Sequence, residues 1–282
     1  MSNARYQGAL PPGGPPVVYL VGAGPGAADL LTLRAARLLE RADVVFHDAL
    51  VPQEILALAS RAEKIEVGKR SGRRSTAQAF INKRLVDAAR KHRVVVRLKG
   101  GDPMLFGRAH EEISCLRKNR IRFEVVPGVT AALAATAELG VSLTARGLAR
   151  SVAFLTTRAA AGERPNNWLQ VALEADSVAI YMGAGEAEEI ARALIAAGKP
   201  PATSVALVEH ASLPGVRRLA GTLGELAALA ARCGDGPVVI LLGEVYREAA
   251  ASQIIEAWPS EQSSSSPTAR AIRSGQTRSG NS

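Results

Sequence analysis

The 282-residue chain predicts an α/β fold in two domains, each built on a buried and mostly parallel sheet. Three observations carry this reading. Eight short apolar runs are rich in Val and Ile, segments of helical spacing lie between many of them, and the pattern restarts near Ser151 after the Pro127–Gly140 segment. With 47% apolar and 22% charged residues the chain can bury one large core or two modest ones, and the restart favours two.

The first run, Val17 to Val21, ends at Gly22-Ala23-Gly24-Pro25-Gly26-Ala27. Formally this is a dinucleotide fingerprint, with Asp48 about the expected distance further on. Pro25, however, lacks the N–H that a pyrophosphate cradle would use, so a plain strand-to-helix turn explains the loop as well. Leu31, Ala35, Leu38 and Ala42 then share one helical face, and Val44 to Phe46 form the second run. Asp48 follows it, placed either to cap a helix or close a turn, or to act as a general base at a strand's carboxyl end. Val67-Gly68-Lys69-Arg70, with Arg73 and Arg74 beyond, reads as a solvated basic loop, except that Lys69 follows a short strand and a glycine.

Val94 to Leu98 lead into the most informative stretch, Arg97-Leu-Lys-Gly-Gly-Asp-Pro-Met-Leu-Phe-Gly-Arg-Ala-His-Glu-Glu112. A buried strand that stops at two glycines and an Asp-Pro brings bare backbone amides and one carboxylate to a sheet edge, where open α/β folds bind ligands. The plainer reading makes Asp102 a turn residue before Pro103, and Arg108, Glu111 and Glu112 surface charge on a helix. Phe123 to Val126, Val152 to Thr156, Val178 to Met182, Val205 to Val208 and Val238 to Leu242 complete the runs, with a helical face at Ile190, Ala193, Leu194 and Ala197. The expected organisation is a flexible segment 1–16, an α/β domain 17–145, a second α/β domain 146–258 and a disordered Ser- and Arg-rich tail 259–282.

The formal charge of +9 suits an anionic partner, whether nucleic acid, a membrane surface or a polycarboxylate. Nucleic acid is excluded from the expectation because aromatic content is 4% and no recognition motif interleaves the basic residues. Cys115 and Cys233 lie far apart, and His47, His92, His110 and His210 show no ligand spacing, so no disulfide framework and no metal site is expected. The longest apolar stretch, Val125 to Ala137, is broken by Pro127-Gly128 and is too short to span a bilayer. A Gly- and Pro-rich start without a signal-peptide pattern adds to the expectation of a soluble cytoplasmic protein without a membrane partner.

Together the segments resemble the uroporphyrinogen-III C-methyltransferases of the tetrapyrrole methylase superfamily. The resemblance runs from Val17 to about Tyr246. It rests on Gly22 to Gly26, Leu30-Leu31-Thr32-Leu33, Asp48-Ala49-Leu50-Val51, Val67-Gly68-Lys69-Arg70, Arg97 to Arg108, Val126 to Ala132, Leu143-Thr144, Arg146-Gly147-Leu148-Ala149, Tyr181-Met182-Gly183 and Gly221-Thr222-Leu223. It implies two α/β domains with a cofactor cleft between them, which is not the Rossmann-type methyltransferase fold, and a homodimer. It further implies S-adenosyl-L-methionine as methyl donor, S-adenosyl-L-homocysteine as by-product, and uroporphyrinogen III as the acceptor, methylated twice to precorrin-2 by way of precorrin-1 in sirohaem or cobalamin biosynthesis.

On matching residues, the resemblance places the donor against Gly24, Pro25, Gly26, Gly100, Gly101, Asp102, Leu105, Thr130, Ala131, Met182 and Ala211. Asp48 becomes the proton acceptor and Lys69 the proton donor, and Arg70, Arg73, Arg74, Arg108 and Arg146 become partners for the eight substrate carboxylates. The chain departs from the family's usual pattern at Arg74, His110, Ala145, Thr157-Arg158 and Ala211. The alternative, a methylase of a later corrin precursor, would share the glycine loops but lack the Asp48 and Lys69 segments. A nicotinamide-dependent dehydrogenase rests on the formal fingerprint alone.

Overall fold

Every residue of β1 (Val17–Gly22) and β4 (Val94–Lys99) is buried, so the sheet they share must be covered on both faces. The computed structural model, which describes residues 14–67, 74–158 and 166–252, shows how. With β2 (Val44–His47), β3 (Glu63–Glu66) and β5 (Arg122–Val126) they form a five-stranded sheet of order β3-β2-β4-β1-β5, parallel throughout. Because side chains alternate along each strand, Val17, Tyr19, Val21, Val45, Val96 and Leu98 face one way, toward α1 (Leu33–Glu40) and α2 (Gln53–Ala57). Val18, Leu20, Val44, Phe46 and Val95 face the other way, toward α3 (Arg74–Ala89) and α4 (Ala109–Lys118).

The second sheet takes the order β6-β7-β10-β8-β9, from β6 (Val152–Thr156), β7 (Ser177–Tyr181), β8 (Ser204–Glu209), β9 (Arg217–Thr222) and β10 (Val238–Gly243). Only β6 and β7 pair in parallel, while the β7–β10, β10–β8 and β8–β9 pairs are antiparallel. This corrects the expectation of mostly parallel sheets. The short return from Glu209 to Arg217 leaves no room for a crossover helix, so β9 must run back along β8. α6 (Trp168–Glu174), α7 (Ala187–Ala196) and α8 (Leu226–Ala230) cover one face of this sheet, and α9 (Arg247–Ser252) and α5 (Ala131–Leu139) cover the other.

α5 precedes the 140–150 segment where the sequence pattern restarts, yet Ala132, Ala134, Ala135 and Leu139 pack with Ala206, Val208, Val239 and Leu241 of the second sheet. Packing therefore groups it with the second half. Gly140, left-handed at φ 64°, ends the helix. Among the described residues no helix is long and apolar enough to cross a membrane.

The loops that leave β1, β4 and β5 come unusually close at the main chain. A Cβ on Gly22 would sit 2.6 Å from the Gly128 Cα, and a Cβ on Gly128 would sit 2.4 Å from the Gly101 carbonyl oxygen. Neither position tolerates a side chain without moving main chain. Gly128→Ala is therefore expected to cost about 1–3 kcal/mol of stability through overpacking, read as a lower urea midpoint at unchanged slope. Wild-type stability would show that the loops do not touch.

Candidate active site

The carboxyl ends of β1, β4 and β5 form one wall of a cleft of about 530 Å³, and residues from the second half form the opposite wall. The first wall holds Ala23, Gly24, Pro25, Asp48, Lys99, Gly100, Gly101, Asp102, Leu105, Phe106, Thr130 and Ala131, and the second holds Arg158, Tyr181, Met182, Leu213 and the Asp235–Val239 segment. Such a volume between two units is typical of a small-molecule site.

The glycine loop does not work as a dinucleotide cradle. After Gly24 and Pro25 a 3₁₀ turn (Ala28–Leu30) intervenes, and α1 starts only at Leu33, capped by the Thr32 hydroxyl accepting from the Ala35 amide at 3.1 Å. The loop instead pairs with the Gly-Gly-Asp-Pro turn: the Gly101 amide donates to the Gly24 carbonyl at 2.7 Å, and the Gly24 amide donates back at 3.2 Å. The Gly101 amide, expected to be bare, thus has a backbone carbonyl as its partner. What these glycines offer a ligand is space. A Cβ on Gly100 would meet nothing within 4 Å, and Gly101 holds φ +65°, a conformation costly for any residue with a side chain.

Asp102 is a turn residue and more. Its Oδ1 accepts from the Met104 amide at 2.7 Å, and its Oδ2 accepts from the Gly128 amide at 2.9 Å, which ties the β4 loop to the β5 loop. Thr130, at the start of α5, does not cap its helix; its hydroxyl hydrogen-bonds Tyr181 Oη at 2.7 Å, and the Ala132 amide donates to the same oxygen at 3.1 Å. Burial raises the Tyr181 phenol's pKa, against the hydrogen bonds from Thr130 and Ala132. The Phe106 ring lies 5.2 Å from that of Tyr181. Phe106 and Met182 adopt left-handed φ of 52° and 59° and stay 40% and 44% exposed on the cleft walls. Backbone strain in large apolar residues facing a cavity is a mark of function.

Asp48 does not cap α2, whose N-cap is Pro52. Its Oδ1 accepts from Arg97 Nη2 at 2.5 Å, with the Asp48 side chain 34% exposed and the Arg97 side chain 3%. Arg97 Nε donates to Glu112 Oε1 at 3.1 Å, and Lys99 Nζ donates to both Glu112 oxygens at 3.0 and 3.1 Å. Glu112 is fully buried, not helix-surface charge, which corrects that reading; Arg108 and Glu111 do pair on the helix surface, at 2.7 Å. Burial pulls the Arg97 pKa down, but the Asp48 and Glu112 carboxylates outweigh it and hold the guanidinium above its ordinary value. Burial lowers the Lys99 pKa, and the neighbouring Arg97 charge pushes the same way.

Gly26 and Ala211 do not line the cleft. Gly26 packs on Leu213, whose Cγ lies 2.5 Å from where its Cβ would be, and Ala211 is buried in the second core. Lys69, Arg70 and Arg73, and the side chain of Arg74, fall outside the described residues. Arg146 is exposed and does not line the cleft. Glu209, 2% exposed, accepts from the Gly234 amide at 2.9 Å and the Gly236 amide at 3.0 Å, and so holds the loop that ends the second wall. Burial raises this carboxyl, but the two amides and the nearby His210 and Arg217 outweigh it and leave it below its usual range. Among the described residues no His, Cys, Asp and Glu cluster could hold a metal ion.

Sequence reasoning missed Arg97, Lys99, Glu112 and Tyr181 as site residues. The signal was present: Arg97 and Lys99 alternate inside a buried strand, and Glu112 shares an apolar helical stripe with Ala109, Ile113 and Leu116.

Comparison with known proteins agrees with this geometry. A model of the tetrapyrrole (corrin/porphyrin) methylases matches residues 17–227, and the chain belongs to that family. Siroheme synthases of Psychrobacter sp. (strain PRwf-1) and Chromobacterium violaceum are 43% and 45% identical to it over 82% and 81% of its length. The chain spans about half the length of these curated relatives, 48% and 49%. A solved structure, uroporphyrin-III C-methyl transferase from Thermus thermophilus complexed with S-adenyl homocysteine, is 42% identical with a TM-score of 0.72, covering 82% of this chain and 99% of that one. A cobalt precorrin-4 methyltransferase is 27% identical with a TM-score of 0.72, covering 81% of this chain and 95% of that one.

Tyr181→Phe is expected to cost about 1 kcal/mol of stability, because the Thr130 hydroxyl and the Ala132 amide lose a shared partner. Urea unfolding checks it, and no change would mean that water replaces the phenol freely.

Proposed function

We propose that the chain is a uroporphyrinogen-III C-methyltransferase that uses S-adenosyl-L-methionine and acts in sirohaem or cobalamin biosynthesis. The observation that carries this reading is Asp48, partly exposed on a cleft whose floor is glycine backbone and whose walls carry apolar surface from both halves. The cleft fits the donor: Gly100 leaves open the space a side chain would take, while Val51, Leu105, Phe106, Met182 and Leu213 give apolar surface for a nucleoside. Gly24, Pro25, Gly100, Gly101, Asp102, Leu105, Thr130, Ala131 and Met182 are the residues that would hold it, with Gly26 and Ala211 supporting the walls from behind.

When bound, the donor supplies an activated methyl group whose C–S bond breaks as a C–C bond forms to a pyrrole carbon, leaving S-adenosyl-L-homocysteine. The residues of the chain align the partners, exclude water and manage protons. Asp48 takes the proton that the alkylated macrocycle must lose. Arg97 holds the carboxylate in place from its buried side. Lys69 is assigned the return of a proton to the macrocycle. Two rounds give precorrin-2 through precorrin-1. The basic body balances the eight carboxylates of the substrate, with Arg70, Arg73, Arg74, Arg108 and Arg146 as their partners. A homodimer in the cytoplasm, with a small tetrapyrrole as sole substrate partner and neither nucleic acid nor membrane involved, completes the proposal.

Anaerobic incubation with uroporphyrinogen III and the donor, followed by mass spectrometry, is expected to yield a tetrapyrrole heavier by two methyl groups. Donor binding with an unchanged tetrapyrrole would move the substrate to a later corrin precursor. Asp48→Asn and Lys69→Ala are expected to keep donor affinity in calorimetry while slowing turnover about 100-fold or more; wild-type rates would remove their roles. Gly101→Val is expected to weaken donor binding at least about tenfold, since a β-branched residue disfavours positive φ and its side chain would crowd the cleft. Unchanged affinity would place the donor elsewhere.

A further inference from the structure

The first sheet carries charge where it should carry oil. On the face covered by α3 and α4, Val18, Val44, Phe46 and Val95 pack as expected, but one pleat further toward the cleft the pattern gives way to Arg97 and Lys99. α4 answers with Glu112 and α3 with Gln78, whose Nε2 lies 3.3 Å from Glu112 Oε1. Glu112 therefore receives Arg97, Lys99 and Gln78 at once and faces no solvent. Desolvating a carboxylate is costly unless such partners compensate it, and an apolar residue on this stripe would fill the space more cheaply. The proposed reaction does not use Glu112. Its outlet is geometric: Arg97 bonds Glu112 through Nε and Asp48 through Nη2, so the planar guanidinium is fixed at one edge and aims the other at the cleft carboxylate. Lys99, a cleft-lining cation, is held on the same carboxylate, its Nζ bonded to both Glu112 oxygens.

We infer that Glu112 is a positioning residue for methyl transfer: it sets the orientation of Asp48 through Arg97 and withdraws Lys99 from competition for that carboxylate. The inference rests on Asp48 being the proton acceptor. Without Glu112, Arg97 keeps only the Leu98 carbonyl besides Asp48 and Lys99 loses its partner, and both cations are left to contest Asp48. The carboxylate leaves the position from which it reaches the macrocycle, and a displacement of about 1 Å at such a group is enough to slow a reaction about 100-fold. Substrate and donor contacts stay where they were.

A double-mutant cycle tests this. Glu112→Gln, Asp48→Asn and the double variant are compared by kcat, by KM for the tetrapyrrole and by calorimetric donor affinity, with Glu112→Asp alongside to keep the charge. Glu112→Gln is expected to lower kcat by about tenfold or more while KM and donor affinity stay within about twofold of wild type. In the Asp48→Asn background it is expected to cost nothing further. Additive losses, an unaffected kcat in Glu112→Gln, or loss of donor binding in both Glu112 variants would make Glu112 structural and overturn the inference. Wild-type turnover in Asp48→Asn alone would instead remove the proton-acceptor role from which it starts, so the two failures read differently.

Discussion

Three loops approach one another at Gly22, Gly101 and Gly128 so closely that no side chain fits between the ends of β1, β4 and β5. Main chain touches main chain there: Gly24 and Gly101 exchange two hydrogen bonds, and the Asp102 carboxylate reaches the Gly128 amide at 2.9 Å. A side chain at Gly22 or Gly128 would force the strand ends apart. Because β1, β4 and β5 end in register against one another, the floor of the cleft is smooth backbone. The chain leaving β5 at Val126 is delivered directly to α5, the helix that packs under the second sheet. The same contact thus shapes the cleft floor and fixes the loop from which α5 starts.

The second sheet completes the cleft through side chains. Tyr181 at the end of β7 binds the start of α5 through Thr130 and Ala132 and stacks on Phe106 of the β4 loop. Further along, Glu138 at the end of α5 pairs with Arg218 and accepts from the Ser212 amide at 3.1 Å, and the Ser212 hydroxyl accepts from the Ala27 amide at 3.1 Å. These links span from the glycine loop of the first half to β9 of the second. They leave Pro25, Leu213 and Met182 around one opening, with the strained Phe106 and Met182 held in place by their neighbours. Among the charged residues on the opening, Asp48 is the one that Arg97 presents from the buried side.

Much of this was legible in the sequence because buried strands in α/β folds are nearly continuous runs of Val, Ile and Leu, as Val17–Gly22 and Val238–Gly243 are. The strands absent from the apolar runs are edge strands, Glu63-Lys64-Ile65-Glu66 and Arg217-Arg218-Leu219, whose solvent-facing sides need no hydrophobic residues. Antiparallel pairing in the second sheet could not be read from composition, because strand direction is set by connection length. The glycine loops, Asp48 and Asp102 announced themselves as residues at strand ends. The ion network did not, because each of its charges sits in a segment that is otherwise apolar, and only the fold brings Glu112 of α4 to Arg97 of β4. Gly26 and Ala211 belong to recognisable motifs, yet the packing turns them away from the opening.

One cleft, floored by glycine backbone and walled by both halves, is proposed to hold the methyl donor with Asp48 beside the transferred group. A crystal structure of the chain with S-adenosyl-L-homocysteine is the decisive check. The ligand is expected against Gly100, Gly101 and Met182, with its sulfur facing the side of the cleft on which Asp48 stands and the Arg97–Asp48 pair intact. A ligand bound away from the Gly24–Gly101 bridge, or with its sulfur turned from Asp48, would overturn that placement.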